Sequence, residues 1–158
     1  MSAKLPALRR CFEEAGFANV KTVLSSGNVA FDARSTSEAS LQRRAESRMQ
    51  ATFGRSFYTI VRRADFLLEL LQADPYAGSA LPARSKRVVS FLRAAKKPKV
   101  ALPLRSDGAE VLSAVGREVF TSYVRSDKGA VFMKLIEKAF GSDITTRTWE
   151  TVSKCAVA

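Results

Sequence analysis

Two short stretches combine residue types that can hold an anion. Ser25-Ser26-Gly27-Asn28 can turn backbone N–H groups, together with the Ser26 and Asn28 side chains, toward a phosphate. The same residues suit a plain hairpin turn, because Gly27 and Asn28 accept positive φ, and that is the commoner use. Thr145-Thr146-Arg147-Thr148-Trp149 reads as the start of a helix, where the first N–H groups and the dipole favour negative charge. Arg147 adds a bidentate donor and Trp149 a stacking face. A capped helix with Trp149 buried as a packing anchor accounts for those residues equally. Lys154 either extends such a site or complements the helix C-terminus. The ligand-binding candidates are therefore Ser26, Gly27, Asn28, Thr146, Arg147, Trp149 and Lys154.

A second kind of chemistry is purely electrostatic. The 158 residues carry 26 Lys and Arg against 15 Asp and Glu, for a net charge of +11. The excess is concentrated in two blocks. Residues 34–63 hold seven basic and two acidic side chains, and residues 84–105 hold eight basic and no acidic ones. Between them, 64–83 carries three acids and no base. An uncompensated basic run is what contact with a phosphate backbone requires, because neutralised phosphates release counterions. Arg62, Arg63, Lys86, Arg87, Lys96, Lys97 and Lys99 are the nucleic-acid-binding candidates. No aromatic ribonucleoprotein motif, GxxG loop or Cys/His finger accompanies them, so the signal is charge alone. A basic surface kept for solubility is the alternative.

Reactive chemistry is thinly provided. Histidine is absent, which excludes Ser-His-Asp and Cys-His catalysis and any His-ligated metal. Two cysteines, Cys11 and Cys155, cannot complete an all-cysteine zinc site and lack redox Cys-x-x-C spacing. Adjacent Glu13 and Glu14 read as a solvated helix face, and the other acids are scattered. No catalytic residue, metal or cofactor is assigned. No apolar run reaches membrane-spanning length and no signal peptide is evident, so a cytoplasmic location is expected.

Positioning these residues falls to alternating helices and strands. Leu5, Leu8, Phe12 and Ala15 predict a helix over 4–17 stopped by Gly16. A hairpin follows over 20–33. A helix capped by Thr36 or Ser37 runs to about residue 53, with Leu41, Ala45, Met49 and Phe53 on one face. Residues 56–63 read as a strand and 64–76 as a short helix ended by Pro75. Residues 77–85 form the linker by composition. Beyond it, 87–94 reads as a buried strand, 96–104 as an irregular or edge path with two prolines, and 109–124 as two strands joined at Gly116-Arg117. An amphipathic helix over 131–140 and a last helix over 145–157 close the chain. The expected fold class is α+β, in two ferredoxin-like halves over 1–76 and 86–158 that form one compact domain, the first lacking its opening strand.

LRRCFEEAGFANVKTVLSSGNVAF (8–31) resembles the bacterial family called domain of unknown function 1697, in which a helix ending in Gly-Phe leads to a strand and Ser-Gly-Asn-Val. The closing TTRTWETVSKCAVA (145–158) is similar to that family's Thr-Thr-Arg-Asn-Trp-x-Thr-Val-x-Lys, with Thr148 in place of asparagine. VGREVFTSYV and KGAVFMKLIEKAFG match its late strand and helix. The resemblance implies a two-part α+β fold and no established activity. It also implies an opening strand with a Gly-rich turn, absent before the first helix here. Neighbours of such a strand would keep unpaired edges. Three functions stay open. The first is a non-catalytic module binding anionic ligands, nucleic acid among them. The second is an enzyme or binding protein for a phosphorylated small molecule, using Asn28 and Arg147. The third is a structural or interaction protein whose basic surface is incidental.

Overall fold

The computed structural model describes residues 4–158. The chain divides into two units, Met1–Glu69 with Ser153–Ala158, and Leu70–Val152.

In the first unit, helix α1 (Leu5–Glu14) takes Pro6 in its first turn, where the missing N–H costs nothing, and buries Leu8, Cys11 and Phe12. Gly16 follows at φ +96°, and a Cβ there would lie 2.8 Å from Arg44 Nη2. That guanidinium donates to the Ala15 carbonyl at 2.7 Å and sits over the Phe17 ring at 4.5 Å, so one arginine closes the end of α1. Strands β1 (Ala18–Val23) and β2 (Asn28–Asp32) form an antiparallel hairpin and a sheet of their own. Helix α2 (Glu38–Phe53) starts at Ser37, whose hydroxyl accepts from Ser40 N at 3.1 Å, and ends at Gly54 in the left-handed region. Its buried Ala45 and Met49 join Leu8, Phe12, Phe17 and Val20 in one core, against which Val29, Phe31 and Leu41 pack. Phe17 and Phe31 stack at 4.3 Å.

Residues 56–63 are not a strand, although their β-branched and aromatic run predicts one. They pair with no strand among the described residues. Side chains of α2 take that place: Thr59 N donates to Glu46 Oε2 at 3.2 Å and Val61 N to Gln42 Oε1 at 3.0 Å. Residues four apart on a helix are about 6 Å apart along its axis. Two residues of extended chain rise about 6.6 Å. The matching spacing means the segment runs extended and antiparallel to α2. The β-prone segment is thus half-buried against helix side chains instead of joining a strand among the described residues.

Helix α3 (Ala64–Ala73) follows. The second unit is built on a five-stranded sheet of β3 (Lys86–Phe91), β4 (Leu104–Ser106), β5 (Ala109–Val115), β6 (Glu118–Tyr123) and β7 (Thr145–Thr148). Their order is β4-β5-β6-β3-β7 and every pairing is antiparallel. Asp107-Gly108, both at positive φ, makes the tight β4–β5 turn, and Gly116 opens the β5–β6 turn. Helix α4 (Val131–Phe140) lays Leu135, Ile136, Ala139 and Phe140 against Ala109, Val111 and Val119. Tyr76 is buried beside the sheet: its hydroxyl donates to the Val88 carbonyl, and its ring meets Phe120 and Trp149 edge-on. Helix α5 (Trp149–Ala156) ends the element order. The α+β class is thus established. No described helix is long and apolar enough to cross a membrane.

Candidate functional site

The hairpin tip spends its polar groups on itself. The Asn28 amide donates to the Val23 carbonyl at 2.9 Å and to Ser26 Oγ at 2.8 Å, while Gly27 supplies the positive φ the turn needs. Ser26, Gly27 and Asn28 therefore lie together in the first unit, in a turn closed by side-chain bonds.

Thr146, Arg147 and Trp149 lie in the second unit, and Lys154 lies in the first, in the last turn of α5. Residues 145–148 form strand β7 and do not open a helix. Three threonines, β-branched and stiff at χ1, favour extended backbone, and β3 offers an edge with which Val88–Phe91 pair them. Thr146 Oγ1 shares a 2.7 Å hydrogen bond with Ser90 Oγ. Arg147 Nη1 donates to the Thr146 carbonyl at 2.9 Å. The helix begins one residue later, with Thr148 as its cap: Thr148 Oγ1 accepts from Thr151 N at 3.1 Å. Trp149 packs edge-on to Tyr76 at 5.2 Å. The candidate anion loop is thus a strand, a cap and an aromatic anchor in sequence.

The basic candidates separate into tethered and solvent-facing groups. Arg63 grips Asp65 through two bonds, Nε to Oδ1 at 3.1 Å and Nη2 to Oδ2 at 3.0 Å. That hydrogen bonding holds the Asp65 carboxyl below its ordinary range and raises Arg63. Arg62 Nη1 donates to the Val61 carbonyl at 3.0 Å. In the second unit, Arg87 lies over the Tyr76 ring at 5.5 Å. Lys96 Nζ donates to the Phe140 carbonyl at 3.3 Å, opposite the negative end of α4. The backbone of Lys99 is fixed through its N–H to the Ala139 carbonyl at 2.8 Å. Lys86, Lys96, Lys97 and Lys99 are all exposed. Within the same stretch Arg105 pairs with Glu110 at 3.0 Å. Charge density found these side chains; only the structure distinguishes the tethered from the solvent-facing.

One feature that sequence reasoning missed is a cleft of about 1130 Å³ in the first unit. It is lined by consecutive residues of β2 and of the segment Val61–Arg63, with Leu41 and Leu67 among its apolar walls. Its charged lining nearly balances: Arg9, Lys21, Arg34, Arg62 and Arg63 face Glu13, Asp32, Glu38 and Asp65. Arg62 and Arg63 are the only sequence candidates it gathers among the described residues. No local motif signals it, because it is bounded by elements distant in sequence.

Two reactive groups, Cys11 and Tyr76, are shielded. The Cys11 thiol is buried, and desolvation pushes its pKa up. Burial likewise holds the Tyr76 phenol protonated beyond the ordinary range of tyrosine. Among the described residues, no three His, Cys, Asp or Glu side chains are grouped to hold a metal.

Neither the curated proteins nor the solved structures include a match to this chain. The sequence profile of a family described as protein of unknown function, DUF1697, matches residues 2–120, a span that includes the helix–hairpin motif of residues 8–31 and ends before the closing segment of 145–158. By that match over most of its length, the chain belongs to the DUF1697 family.

Proposed function

We propose that this protein is a non-catalytic cytoplasmic module that binds anionic polymers, nucleic acid above all, through the basic surface of its second unit. One observation carries the reading. Residues 84–105 hold eight basic and no acidic side chains, and Lys86, Lys97 and Lys99 stand exposed within it. Phosphate-backbone contact needs little more than such a run, since release of condensed counterions supplies the free energy. Exposed aromatics for base stacking are absent from the described residues of this unit, which favours sequence-independent contact over base readout. Cys11 and Cys155 form no disulfide, which fits a reducing compartment.

Binding of a fluorescent duplex oligonucleotide, titrated across salt concentrations, tests the proposal. Affinity should fall linearly on a log–log plot, with a slope of about −0.9 per phosphate neutralised. Affinity that stays flat from low to moderate salt, or no binding at low salt, would reject it.

A further inference from the structure

Resting on the nucleic-acid reading of the second unit, we infer that a duplex meets a second row of phosphate contacts there: Lys134 and Lys138, on the outer face of α4. Both lie outside the two basic blocks of the sequence, so charge density along the chain does not single them out. In α4, Leu135, Ile136, Ala139 and Phe140 are buried, whereas Lys134, Glu137 and Lys138 are exposed. At about 100° per residue, the two lysines differ by about 40° around the helix axis and stand about 6 Å apart along it. They form a short row on the side opposite the core. Glu137, the single acid of α4, lies about 60° from Lys134 on the other side from Lys138. It flanks the row without interrupting it.

The lysine-bearing loop between β3 and β4 is fastened to the end of that helix. The Lys99 N–H donates to the Ala139 carbonyl at 2.8 Å, and Lys96 Nζ donates to the Phe140 carbonyl at 3.3 Å. Ala139 directly follows Lys138, so the loop meets α4 where the lysine row ends. Leu92 before the loop, and Val100 and Leu102 after it, belong to the same core as Ile136 and Phe140. The loop and the helix therefore present their lysines from one pinned surface, which needs little further ordering when a duplex arrives. Ion pairing sorts the basic groups of this unit. Glu110 holds Arg105, and Asp107 holds Lys128. Lys97, Lys99, Lys134 and Lys138 are in no ion pair among the described residues. Their charge is available to neutralise phosphates and release counterions.

The experiment titrates a fluorescent duplex oligonucleotide across salt concentrations with three full-length chains: the wild type, Lys134→Gln with Lys138→Gln, and Lys134→Arg with Lys138→Arg. Lys, Gln and Arg have similar helix propensity, so α4 should persist in all three. The glutamine pair should make the log–log slope shallower by about 1.8, which is two contacts at about 0.9 each. Over a tenfold rise in salt it should lose about 60-fold less affinity than the wild type. The arginine pair keeps the charge and should keep the wild-type slope. A wild-type slope in the glutamine pair would overturn the second row and leave the reading of residues 84–105 standing. A slope reduced as much by arginine as by glutamine would also overturn it, by showing that the two lysines act through the fold. Wild-type affinity that does not change with salt would overturn the row together with the reading beneath it.

Discussion

Replacing Tyr76 with phenylalanine isolates one hydroxyl in the second unit. The ring contacts with Phe120 at 5.9 Å and Trp149 at 5.2 Å survive the change. The bond from the phenol to the buried Val88 carbonyl does not. A buried acceptor left short of a donor costs about 1–2 kcal/mol, so Tm should fall by roughly 5–10 °C for a unit of this size. The sign with pH is fixed by burial, which raises the phenol above its ordinary 10.0. Above that pH the unfolded chain gives up the proton and the folded one keeps it. Stability from this group is therefore whole below about pH 10 and declines above it, by about 1.4 kcal/mol per pH unit. Urea unfolding of both proteins from pH 8 to 11 measures this. The wild-type advantage should shrink to near zero by about pH 11. An advantage constant across that range would refute the assignment of Tyr76 as a buried neutral donor.

Other consequences are local. Ser37→Ala removes the cap of α2 and should cost about 1 kcal/mol in chemical denaturation, whereas Ser37→Asp should keep most of it. Gly16→Ala combines a strained positive φ with a 2.8 Å approach to Arg44; a loss above about 1 kcal/mol is expected, and an unchanged unfolding midpoint would count against the role given to that arginine. Gln42→Leu leaves Val61 N without its acceptor. Faster amide exchange at Val61 and a loss of about 1–3 kcal/mol should follow.

Periodicity carried most of the fold. Leu8 and Phe12 on α1, Ala45 and Met49 on α2, and Ile136 and Phe140 on α4 are buried as their spacing demands. Ser37 and Gly54 bound α2 where their chemistry places them. The two misreadings share a cause, since strand or helix is decided by what lies alongside. Residues 56–63 have strand composition but meet helix side chains, and Thr145–Arg147 have the composition of a helix start but pair with the edge of β3, leaving the cap to Thr148. Local bonding also bears on the two candidate anion loops. Asn28 and Arg147 are two of the residues an anion site would use, and both bond to their own backbone neighbourhood. The cleft was invisible because β2 and Val61–Arg63 are separated by a whole helix.

Polyanion binding through the second unit is tested most directly by the salt dependence of duplex affinity in a variant carrying Lys86→Gln, Lys97→Gln and Lys99→Gln. Lys96 is left intact because it bonds to the Phe140 carbonyl. With folding verified by an unchanged unfolding midpoint, the log–log slope should become shallower by about 2.7, which is three phosphate contacts at about 0.9 each. A slope identical to that of the wild type would contradict the account.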